Sequence, residues 1–174
     1  WGATVVPAPA GNIALARNLG ASAATGEILV FADADVVLAN QFVQRALDRL
    51  EAGAALVHPR EGIYDSDFWN LALWLPQVFR PTMNTTRCVV VPREVFEAVG
   101  GYDVDCNPIT DYCREDLDFG RRVAGLYGYS SIEVLPALIC TSSRRYRKYG
   151  ARGWEHFADP VRSHTLARVT SPRP

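Results

Sequence analysis

Apolar positions along the chain follow two periods, and their alternation predicts helices separated by short strands. Between Asn12 and about Ala24 the small residues Ala14, Ala16, Gly20, Ala21, Ala23 and Ala24 fill one segment, opened by Gly11-Asn12 and closed at Gly26. This predicts a helix that packs closely on a sheet. Ile28-Leu29-Val30-Phe31 is continuously apolar and too short for a helix, which predicts a strand buried on both faces, as in a parallel sheet. Phe42, Val43, Ala46, Leu47 and Leu50 recur at helical spacing before Gly53 and predict an amphipathic helix over 40–52. A strand is expected at Ala54–His58, a short helix or loop at Phe68–Arg80, and a strand at Cys88–Val91. Pro92 then opens a short helix through Val99, which Gly100-Gly101 stops. Leu117, Phe119, Val123 and Leu126 predict a helix from Glu115 to Tyr127, ended by Gly128. Ile132–Leu135 and Ala137–Thr141 read as two edge strands flanking Pro136.

This order of strands and helices argues for an α/β fold with a mainly parallel sheet covered by helices. With 174 residues, 48% of them apolar, the chain supports one core. We expect one domain over 1–158 and a loose tail over 159–174, where Pro, Arg and Ser replace any periodicity. A net charge of −1, from 18 basic and 19 acidic residues, offers no global field for nucleic acid. No apolar stretch approaches the ~20 residues that span a bilayer. Cys88, Cys106, Cys113 and Cys140 show no CxxC spacing, so reduced thiols and a cytoplasmic location are expected. Asn84-Thr85-Thr86 fits a glycosylation acceptor only in a secretory setting, and it carries no weight here.

Two acidic constellations carry candidate chemistry. Asp33 and Asp35 stand two apart at the carboxyl end of an apolar strand, where ligands bind in open α/β sheets. Their mutual repulsion calls for compensation by hydrogen-bond donors or by a hard divalent cation that also grips phosphate. Capping of the following turn accounts for the same pair without a ligand. Glu115-Asp116 opens a helix inside Arg114-Glu115-Asp116-Leu117-Asp118-Phe119-Gly120, with Asp116 on one face with Gly120 and Val123 and looking over a bare patch of backbone. A helix start favours the ionised carboxylate that a general base needs, and it equally suits a structural first turn. Asp118 and Arg122 read as a surface ion pair. Ser142-Ser143-Arg144-Arg145-Tyr146-Arg147-Lys148 holds four cations in five residues, suited to phosphate or to a solvated face. His156 and His164 are candidates for a third metal ligand.

These motifs occur in an order that resembles family 2 glycosyltransferases. Ala16-Arg17-Asn18 with Gly20, Ala24-Thr25-Gly26-Glu27, Val30-Phe31-Ala32-Asp33-Ala34-Asp35, Val99-Gly100-Gly101-Tyr102-Asp103 and Glu115-Asp116 carry the resemblance, over roughly Gly2–Gly150. It implies a GT-A, Rossmann-like fold and inverting transfer from a nucleotide-diphosphate sugar to an acceptor hydroxyl. It implies that Asp33 and Asp35 bind Mn2+ or Mg2+ with the donor diphosphate, and that Asp116, with Glu115 beside it, is the base. Arg17, Asn18, Arg144 and Arg145 would serve the donor; Gly100, Gly101, Tyr102 and Asp103 would shape the acceptor pocket. The acceptor would be a saccharide, a lipid-linked or another hydroxyl compound. Peripheral contact with the inner membrane face is a further expectation, and homo-oligomer formation is expected where missing strands would leave sheet edges unpaired. In the family's order Ala3–Val6 corresponds to a third strand, so the nucleotide-binding strands before it, roughly fifty residues, are expected to be missing. Two other readings stay open: a haloacid-dehalogenase-like phosphatase with Asp33 as nucleophile, and a non-catalytic binding remnant.

Overall fold

The computed structural model describes residues 2–72, 87–106 and 115–149, with all their side chains except those at 137, 138, 145, 146 and 149. The elements run α1 (Ile13–Ala23), β1 (Ile28–Ala32), β2 (Val36–Leu38), α2 (Phe42–Glu51), β3 (Leu56–Ile63), α3 (helical over 67–72), β4 (Cys88–Pro92), α4 (Arg93–Ala98), α5 (Glu115–Tyr127), β5 (Ile132–Thr141) and α6 (Arg144–Tyr149). The class is α/β, as the alternation predicts.

Asn12 caps α1 by accepting from the amide of Leu15 at 2.8 Å. At the other end, Arg93 of α4 donates to the carbonyls of Ala21, Ala24 and Gly26. A basic group from another helix thus closes a C-terminus that has no basic residue of its own. Gly100 and Gly101 end α4 with φ of 78° and 67°, and Gly128 ends α5 with φ of 87°. At Gly101 a Cβ would lie 2.9 Å from Asn18 Oδ1 and 3.1 Å from Phe96 Cζ, so only glycine fits.

The sheet is mixed rather than mainly parallel. Its order is β1-β4-β3-β5-β2, with only β3 and β5 parallel; β1 with β4, β3 with β4, and β2 with β5 are antiparallel. The expectation of β1 as a buried parallel strand is therefore corrected: it pairs antiparallel with β4, lies at the edge of the described sheet, and leaves Val30 exposed. Apolar composition on both faces does not specify strand direction. The strand buried on both faces is β4, where Val89 and Val91 join one core and Cys88 and Val90 the other.

The two edge strands expected around Pro136 are one strand, β5, lying inside the sheet between β3 and β2. Proline is tolerated there because the β3–β5 register slips between Pro59 and Glu61, a bulge that needs no proline amide. β3 runs to Ile63, past the expected end at His58, and the three-residue β2 is an element that the apolar pattern does not predict.

One core contains Ala14 and Ala21 of α1, Phe96 of α4, Phe119 and Val123 of α5, and Tyr102; the other contains Phe42 and Ala46 of α2 against Val57, Leu135 and Ile139. Helices therefore cover both faces. Cys88 and Cys140 are free, but Cys106 is disulfide-bonded, against the expectation of reduced thiols; its pairing depends on proximity in space, which spacing does not reveal. Among the described residues no helix is long and apolar enough to cross a membrane. The Asn84-Thr85-Thr86 triplet, most of the Phe68–Arg80 segment, Cys113, Arg114, both candidate histidines and the tail at 159–174 lie outside the described residues.

Candidate functional site

Asp33 and Asp35 occupy the turn that carries the chain from β1 into β2. The apolar strand holds the turn from one side, and the amide of Asp33 donates to the carbonyl of Arg87 at 2.8 Å. On the other side, Thr141 Oγ1 at the end of β5 donates to the carbonyl of Asp35 at 3.3 Å. The turn that carries the two aspartates is thus tied to the residue before β4 and to the end of β5.

Each carboxylate meets an arginine. Arg17 of α1 reaches Asp33 at 3.1 Å and, with its other terminal nitrogen, Glu115 of α5 at 2.9 Å. Its guanidinium lies 5.1 Å from the centre of the Tyr102 ring, a cation–π contact that adds to its placement. Arg87 reaches Asp35 at 3.4 Å and pairs on its Nε with Glu61 of β3. Asp33 and Asp35 remain about one-third and two-fifths exposed, at 34% and 42% of their side chains, whereas both arginines are largely covered.

The structure thereby joins the two acidic constellations through Arg17, with Glu115 rather than Asp116 as the partner. Burial, reinforced by the neighbouring charge of Asp116, pushes the Glu115 carboxyl above its ordinary range, and Arg17 opposes this. Asp116 accepts from the amide of Leu117 at 2.8 Å and is half-buried. The bare patch expected below it is filled, because Gly120 and Val123 are buried in the core. Asn18, next to Arg17, is spent on backbone: it donates to the carbonyl of Tyr102 at 2.8 Å and accepts from its amide at 2.9 Å. This clamp ties the Gly100-Gly101-Tyr102-Asp103 turn to α1. Tyr102 is buried and stacked on Phe119 with ring centres 4.6 Å apart. The Asp118–Arg122 pair forms as expected, and Arg122 also donates to the carbonyls of Val99 and Gly101.

The basic stretch forms α6. Ahead of it, Ser142 Oγ and the Ser143 amide donate to the carboxylate of Asp65, which the Ser143 amide above all holds below its usual range. Arg144 is exposed, and Arg147 donates to the Asp65 carbonyl; the Arg145 side chain is outside the described set. Glu61 and Arg87 are site residues that the sequence reading does not single out. The available signals are an acid four residues after the apolar run Ala54-Ala55-Leu56-Val57 and a cation directly before Cys88-Val89-Val90-Val91. Among the described residues no group of three or more His, Cys, Asp or Glu could hold a metal by itself.

A family model described as glycosyl transferase family 2 matches residues 1–102, more than half of the 174-residue chain. The chain belongs to that family. The family's fold is visible in solved structures as well. Glucosyl-3-phosphoglycerate synthase from Mycobacterium tuberculosis, in complex with Mn2+, uridine-diphosphate-glucose and glycerol 3-phosphate, superposes with a TM-score of 0.54 at 19% identity, covering 90% of this chain and 56% of that one. The same enzyme with Mg2+ and uridine-diphosphate gives 0.55 at 18% identity, covering 90% and 55%. A mycobacterial protein gives 0.57 at 18% identity, covering 90% and 52%. At these identities the likeness establishes the GT-A fold, and the family 2 chain spans just over half the length of the matched structures. No curated protein matches the sequence.

Proposed function

We propose that this family 2 chain carries the transfer site of an inverting glycosyltransferase that uses a nucleotide-diphosphate sugar and a divalent metal. The observation that carries the reading is the Asp33–Arg17–Glu115 linkage, which brings the strand-end aspartates and the Glu115-Asp116 helix start to one place. Two partly exposed carboxylates fit a hard cation that takes its other ligands from phosphate oxygens and water, as Mg2+ commonly does. When bound, such a cation would offset the charge that develops on a departing diphosphate.

In this reading Asp33 and Asp35 hold the metal and donor, and Arg17 keeps Asp33 aimed. Asp116, in the first turn of α5, takes the proton from the acceptor hydroxyl. Arg144 and Arg145 serve an acidic acceptor or the diphosphate. The solved relatives hold Mn2+ or Mg2+ with uridine-diphosphate-glucose or uridine-diphosphate, which makes a uridine nucleotide the first donor to test. Titration of the chain with uridine-diphosphate in Mn2+, followed by calorimetry, should show metal-dependent binding that Asp35→Ala removes. Binding that is equal in EDTA, or intact in Asp35→Ala, would refute the assignment, and hydrolysis of phosphate monoesters would favour the phosphatase reading.

A further inference from the structure

Asp35 is the more exposed of the two aspartates, yet it is held from behind by a buried pair. Arg87, whose side chain is 11% exposed, points Nη1 at Asp35 and Nε at Glu61, itself 4% exposed. Glu61 lies on β3 and Arg87 immediately before β4, so adjacent strands fix the guanidinium before it meets the aspartate. Arg87 also acts through its backbone, since its carbonyl accepts from the Asp33 amide at 2.8 Å. One residue outside the turn therefore touches both aspartates.

We infer that Arg87, anchored by Glu61, is a positioning residue that sets the Asp33-Ala34-Asp35 turn and orients the Asp35 carboxylate toward its metal. The inference rests on the metal reading given above. Charge considerations decide the sign of the effect. A lone guanidinium beside Asp35 would compete with an incoming cation, but Glu61 neutralises Arg87. The pair as a unit adds little net charge, and what it adds is direction. Partners that orient metal-ligating groups typically contribute about 10–100-fold in metal affinity. A planar fork that engages two acids at once is also something lysine does not reproduce.

The test is Mn2+ binding in the presence of uridine-diphosphate, read by calorimetry or by the free-Mn2+ electron paramagnetic resonance signal. Arg87→Lys should weaken Mn2+ binding by about 10–100-fold. Because removing Arg87 leaves Glu61 buried without its cation, the double variant Glu61→Gln/Arg87→Gln separates positioning from folding. It should keep the wild-type circular dichroism and a melting temperature close to wild type, yet bind Mn2+ as weakly as Arg87→Lys. Unchanged Mn2+ affinity in the folded double variant would overturn the positioning role while leaving the metal reading intact. A wild-type chain that binds neither Mn2+ nor its uridine-diphosphate complex would overturn both.

Discussion

Arg17 engages one acid that follows β1 and another that begins α5, 98 residues from it in sequence. Its two acids are not equivalent. Glu115 is buried and raised in pKa by that burial, so it depends on the guanidinium, whereas Asp33 keeps a partly open surface. This separates the two residues of the acidic pair in a testable way. Asp116→Asn should lower transfer by on the order of 10²–10⁴-fold with uridine-diphosphate binding retained, because a proton acceptor is lost and shape is kept. Glu115→Gln should instead weaken donor binding, since it weakens the hold of the buried anchor on Arg17. Steady-state kinetics and binding titrations on both variants check the assignment, and the reverse pattern would exchange the roles. Asp33, Asp35, Glu115 and Asp116 stand out as candidates in the sequence because short acidic patterns at strand and helix ends are visible locally. Glu61 and Arg87 do not, because their meaning depends on β3 and β4 lying side by side, which no local spacing encodes.

Among the elements, α1 shows how a helix end can depend on a distant part of the chain. The last turn of α1 and the residues beyond it present carbonyls to a single side chain, that of Arg93. Arg93→Met keeps much of the apolar stem but removes the donors, and it should cost about 1–2 kcal/mol in urea denaturation. No loss of stability would mean that water serves those carbonyls equally well. Helices α1, α2, α4 and α5 are readable from caps, periodicity and terminal glycines. The strands are less so: β1 and β4 are both short apolar runs, and nothing within Ile28-Leu29-Val30-Phe31 distinguishes an antiparallel edge strand from a parallel central one. β5 reads as two strands because proline usually interrupts a ladder, while here a bulge accommodates it.

For the whole molecule, pH stability should reflect His58. It is 1% exposed on β3, and neither ring nitrogen has a hydrogen-bond partner among the described residues. Burial pushes its pKa down from 6.5 to about 4, against a weak opposing pull from the Pro59 backbone. The folded state therefore resists a proton that the unfolded chain accepts. Stability is full above pH 6.5 and falls as the pH drops from there toward about 4. The loss amounts to about 3 kcal/mol over that interval. Urea melts between pH 7 and pH 4.5 should show the fall, and His58→Leu should flatten it; an identical slope in the variant would assign the acid sensitivity elsewhere.

The position of β1 at the margin of the sheet has a consequence in time as well as in space. The bonds from the Asp33 amide to the Arg87 carbonyl and from the Arg93 amide to the Glu27 carbonyl fix which residues of the ladder face inward. By the alternation of an antiparallel pair, Leu29 and Phe31 turn their amides toward β4, while Val30 and Ala32 turn theirs away. Deuterium should therefore enter the strand residue by residue in an alternating rhythm, fast at Val30 and Ala32 and slow at Leu29 and Phe31, when followed by amide-resolved NMR. Slow exchange at all four would reveal that something in solution, another copy or another segment, pairs with that margin.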